Sequence, residues 1–198
     1  MIHDPPLDTR IGDLVPPALR EEWVRAGHCP DRDLHALFRE HVDAHPHRDA
    51  VIDADGVLDY AALDREVDRI AAALAAAGIG PGDIVGVRMP NGRRMVVAEL
   101  AVAAVGAAVL AYPAGRGTRD THSLLGRSRA AAAIFGAVDD AEDAGTIPSL
   151  RRIFTFGAGE SGRVHSTTPR RRAGPPGRRT PRHRCASSSP RVPKRNRR

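Results

Sequence analysis

Few residues in this chain have the types and spacing that support chemistry. Gly157, Gly159 and Gly162 spell G-x-G-x-x-G directly after an apolar run ending at Phe156, the place where a dinucleotide fingerprint cradles a pyrophosphate. That fingerprint needs a helix start to hold the phosphates and an acid about 20 residues on for the ribose. The polar stretch to Pro169 lacks helical periodicity, and no acid follows Glu160, so the glycines read as a loop cluster. His41, His45 and His47 include an i, i+4 pair of the kind that shares a helix face in zinc sites. Pro46 turns the chain between the last two, no acid or thiol completes an evident set, and a solvated helix end is the reading. Gly115-Arg116-Gly117-Thr118 precedes a helix and could meet an anion at its N-terminus, but such caps are common and a plain surface loop is the reading. Cys29 and Cys185 match no zinc or redox spacing and read as unpaired thiols of a reducing compartment. No residue is assigned a catalytic, cofactor-binding or metal-binding role.

Composition divides the chain near Glu160. Residues 1–160 hold all 24 acidic residues against 17 arginines, whereas residues 161–198 hold 13 basic residues and no acid, so the net charge of +6 is the sum of two opposites. The second segment has no aromatic residue and only Val164 and Val192 as large aliphatics, too little to offset the entropy of ordering a backbone. The expected organisation is a folded body over 1–160 and a disordered Arg/Pro/Ser-rich tail over 161–198. A body of that length buries roughly two thirds of its unfolded surface. Met1–Arg10 has two aspartates and two prolines but no apolar signal core, which favours a cytoplasmic protein. The apolar run Met95–Tyr112 holds one charge, Glu99, and its alanine content reads as a buried helix rather than a membrane span.

The elements follow from periodicity. Leu34, Leu37, Phe38 and Val42 predict a first amphipathic helix, ended at His45-Pro46 because a residue before proline avoids helical backbone. Ala50–Asp53 and Val57–Tyr60 flank the turn Asp55-Gly56 as a hairpin. Tyr60, Leu63, Val67, Ile70 and Leu74 mark a helix stopped at Gly78. Ile84–Met89 reads as a buried strand. A helix capped by Asn91 should then run to Val105, covered on most faces. A strand over Leu110–Tyr112, a helix capped by Thr118 or Asp120 and ending at Ser128, and strands Ala130–Phe135 and Arg152–Phe156 complete the order. Alternating strands and helices predict a layered α/β fold with a partly parallel sheet and flanking helices.

In that order the chain resembles the opening of the acyl-adenylate-forming (AMP-binding) ligases of the acid-CoA ligase and aryl-acid activating type. The resemblance rests on Leu37-Phe38, Pro46 and Ala50-Val51; on Leu58-Asp59-Tyr60, Leu63 and Ala71–Leu74; and on Gly78-Ile79-Gly80-Pro81-Gly82-Asp83-Ile84-Val85. It continues through Met89-Pro90-Asn91, Glu99-Leu100-Ala101, Gly106-Ala107 and Tyr112-Pro113, covering about Trp23–Phe156. Trp23–Arg32 is closer to the lead-in of aryl-acid and medium-chain acyl ligases than to that of peptide-synthetase domains.

The resemblance implies two steps. A carboxylic acid attacks the α-phosphate of ATP to give an acyl-adenylate and pyrophosphate, and the thiol of CoA or of a carrier protein then takes the acyl group. ATP, Mg²⁺ and CoA are thus implied for the full-length family, and none is expected to bind this fragment. The family's Ser/Thr/Gly-rich phosphate loop would begin near Ser187-Ser188-Ser189-Pro190, which lacks the glycines that let backbone wrap a phosphate.

The expectation is therefore an N-terminal fragment of an acid-thiol ligase, inactive alone, whose helix 91–105 is left partly uncovered. Its tail has the composition of GC-rich DNA read out of frame. The alternative is a non-enzymatic binding protein whose 12 tail arginines and Lys194 hold nucleic acid or another polyanion.

Overall fold

A computed structural model describes residues 15–138, 141, 143–156 and 164–169. Its centre is a five-stranded sheet of β3 (Ile84–Arg88), β4 (Ala108–Ala111), β5 (Ala132–Phe135), β6 (Arg152–Phe156) and β7 (Val164–Thr167), preceded by a separate hairpin of β1 (Asp49–Asp53) and β2 (Gly56–Asp59). The sheet order is β4-β3-β5-β6-β7. The first four strands are mutually parallel, and β7 pairs antiparallel with β6.

Parallel strands joined by helical crossovers are buried on both faces, so their sequences read as continuous apolar runs. The four residues of β5 are all buried, and they divide by alternation between two cores. Ala132 and Ile134 face the larger core with Val85, Val87, Phe154 and Phe156, whereas Ala133 and Phe135 face the smaller one with Leu125, Ile147 and Ile153.

Three helices line the larger core: α2 (Leu34–Ala44), α3 (Tyr60–Ala76) and α4 (Arg93–Ala104). Their buried stripes are Phe38 and Val42, then Leu63, Val67, Ile70 and Leu74, then Val97, Ala98, Leu100, Ala101 and Val102. Helix α5 (Thr118–Arg127) and a 3₁₀ turn over Asp143–Thr146 cover the other face. The layered α/β architecture predicted from the alternation is thus the observed one. The apolar run 95–112 resolves into α4 and β4, and among the described residues no helix is long and apolar enough to cross a membrane.

Local punctuation explains the sharp ends. Gly78 sits at φ 73° after α3. The Ile79 N–H donates to Leu74 O at 3.0 Å and the Gly78 N–H to Ala75 O at 2.9 Å, the paired bonds of a Schellman stop with buried Ile79 as its apolar contact. Asp33 and Asp59 cap α2 and α3, accepting from Ala36 N and Ala62 N at 2.7 Å each. Gly86 on β3 has a steric reason: a Cβ there would lie 2.2 Å from Leu125 Cδ2, so the missing side chain lets α5 lie close against the sheet.

Several expectations are corrected. A helix α1 (Pro17–Arg25) precedes the predicted first helix. Its proline at the first position favours a start, but it buries no residue and so shows no apolar stripe in sequence. Asn91 does not cap α4: Gly92 holds the cap position without a side-chain bond, and Asp53 of β1 supplies the acceptor instead. Neither Thr118 nor Asp120 caps α5, whose cap position is Gly117; Asp120 pairs with Arg116 at 3.1 Å.

Helix α4 buries Val97, Ala98, Leu100, Ala101 and Val102, and its other seven residues are half-buried. Ile52 and Val57, 72% and 54% exposed, are the apolar residues left bare on the hairpin. The 161–198 segment is also not wholly outside the fold, because Val164–Thr167 adds β7 to the sheet. Backbone pairing at a sheet edge needs no apolar side chain, which is why composition missed it. Residues 161–163 and 170–198, which include Gly162, Cys185 and Ser187–Pro190, lie outside the described residues, as do Gly157 and Gly159.

Gly86→Ala should lower the stability of the chain in urea by about 1 to 3 kcal/mol, whereas Gly126→Ala on α5, with open space around a Cβ, should raise it by up to about 1 kcal/mol. Equal effects of the two would contradict the close β3–α5 contact. In limited trypsin digestion followed by mass measurement, the resistant body should retain Val164–Thr167. A limit product ending at Arg163 would refute the β6–β7 pairing.

Candidate functional site

From β3 the chain crosses to β4 on one side and then passes back to β5 on the other. In open α/β sheets such a reversal leaves a crevice outside the carboxyl ends of the strands, where ligands bind. Here the crevice has a volume of about 430 Å³ and is lined by Asp53, Met89, Asn91, Arg94 and Gly136 among others. The strand ends are tied by backbone bonds, Gly136 N–H to Arg88 O and Tyr112 N–H to Val87 O, each 3.1 Å. A Cβ on Gly136 would come within 2.9 Å of the Met89 Cβ, so glycine lets the two strand ends close up.

Arginines brace the edge. Arg88 donates from Nε and Nη2 to Ala114 O at 3.2 and 2.8 Å, fixing the loop that contains Gly115 and Gly117. Arg93 donates from Nε and Nη2 to Asp53 Oδ1 at 3.0 and 2.6 Å, and its backbone N–H donates to Asp53 Oδ2 at 2.8 Å. The pair is largely shielded, with side chains 12% and 16% exposed. Asp53 thus caps α4 from another element and places a carboxylate at the positive end of the helix dipole. The Arg93 side chain and backbone N–H hold its carboxyl well below the usual carboxylate range, and the same bond raises the Arg93 pKa. Arg94 lies over the Phe156 ring, 5.6 Å from the centroid, joining α4 to the end of β6.

These groups brace structure more than they provide reactivity. The Arg93 charge is neutralised by Asp53, and among the described residues no group of three or more His, Cys, Asp or Glu is placed to hold a metal ion. The three histidines are not brought together: His41 stacks on Tyr60 at 5.8 Å, His45 ends α2, and His47 Nδ1 lies 3.6 Å from Asp59 Oδ2. Gly115–Thr118 forms a loop and the start of α5. Cys29 is half-buried and not in a disulfide.

The Asp53–Arg93 clamp is the feature that sequence reasoning missed. Its members are 40 residues apart, and the one local signal is the Asp53-Ala54-Asp55-Gly56 turn, where Asp53 Oδ1 also accepts from Asp55 N at 3.0 Å. Since the Asp53 pKa is lowered on folding, its contribution is complete above the unfolded value of about 3.9 and is lost as pH falls through the folded value. Urea midpoints should therefore be lower for Asp53→Asn than for Asp55→Asn at pH 7. The loss of stability on acidification below about pH 4 should be shallower in Asp53→Asn than in the parent chain. Identical acid limbs would refute the clamp.

A family model described as AMP-binding enzyme matches residues 38–182, running past Phe156 and the composition break. The chain is 38% identical over 142 residues to the salicyl-AMP ligase / salicyl-S-ArCP synthetase of Mycobacterium tuberculosis, covering 68% of this chain and 24% of that protein. It is 34% identical over 146 residues to triostin synthetase I of Streptomyces triostinicus, covering 72% and 28%. The chain thus spans about a quarter of the length of these relatives. In fold it matches the coronafacic acid ligase of Pectobacterium brasiliense with a TM-score of 0.60 at 20% identity, over 66% of this chain and 27% of that one. With a family match over most of its length, carried on the parallel sheet and crevice described above, the chain belongs to the AMP-binding enzyme family of adenylate-forming ligases.

Proposed function

We propose that this chain forms the N-terminal α/β portion of an ATP-dependent carboxylic acid-thiol ligase, and that by itself it supplies scaffold without completing an acyl-adenylate. The observation that carries this reading is the match over residues 38–182 on a sheet whose switch-point crevice is braced by internally paired charges. An aryl acid is the substrate class we favour for the whole enzyme, because the Mycobacterium tuberculosis relative is named for salicyl-AMP formation. The thiol acceptor would be CoA or a carrier protein.

Adenylation places negative charge on a transferring phosphoryl group, and its catalysis rests on pre-positioned amides, a cation and Mg²⁺. The described residues do not fit that demand. Arg93 is committed to Asp53, Arg88 to Ala114 O, and among the described residues no group of three or more His, Cys, Asp or Glu is placed to hold a metal ion. The chain's own contribution is to set the strand ends and α4 in place around the crevice.

Loss of one charge-stabilising donor typically slows such chemistry by about 10²- to 10³-fold. A chain whose described residues lack the set should therefore show no exchange of labelled pyrophosphate into ATP above a buffer blank, with salicylate, benzoate or an aliphatic acid. Acid-dependent exchange above blank would overturn the proposal that this chain is scaffold alone.

A further inference from the structure

No further inference is drawn: the strongest candidate, the exposed apolar pair Ile52 and Val57 on the hairpin β1–β2, is an unpartnered face, and nothing in the structure shows what covers it.

Discussion

A parallel sheet has to be covered on both faces, and most of this structure follows from meeting that constraint with a chain rich in alanine. Strand β5 sends Ala132 and Ile134 one way and Ala133 and Phe135 the other, with every side chain out of water. Small residues there let helices approach closely, and Gly86 extends the same logic to the contact with Leu125. Close packing of this kind tolerates little change in volume. The two layers of helices, the short loops and the fixed order of strands are consequences of covering one sheet twice.

The covering helices must also have their ends satisfied, and here the chain uses a long-range solution. Helix α4 begins at a glycine without a side-chain cap, so its first turn depends on a carboxylate brought in by the hairpin. Asp53 does so while pairing with the Arg93 guanidinium. One bond set therefore fastens the two-stranded hairpin, which would be marginal alone, to the helix that covers the sheet. Arg94 against Phe156 carries the connection on to the end of β6. The crevice at the strand ends takes its shape from these contacts, and that accounts for a family member whose described residues are built for positioning.

What was legible in the sequence was whatever local periodicity or turn chemistry determines. The stripes of α2 and α3, the stop at Gly78 and the buried runs of β3 and β6 were all readable, since each depends on neighbours within a few residues. The alternation of strands and helices then implied the layered architecture. Other features were not local. Helix α1 buries none of its residues and so leaves no stripe. The cap of α4 comes from 40 residues away, where a nearby Asn91 offered a plausible substitute. Strand β7 is held by pairing with β6 in a stretch whose composition argues for disorder. The glycine and histidine motifs drew notice by residue type, but the ion pair that braces the crevice edge carries no motif.

This chain folds around one doubly covered parallel sheet, to which the hairpin is fastened. Native-state hydrogen exchange on the chain tests it most directly, because protection ranks segments by the free energy needed to open them. The slowest exchange is expected in β3, β5, β6 and α4, opening together as one unit, with β1 and β2 faster and α1 fastest. Uniformly fast exchange across the sheet, or a hairpin better protected than β5, would contradict it.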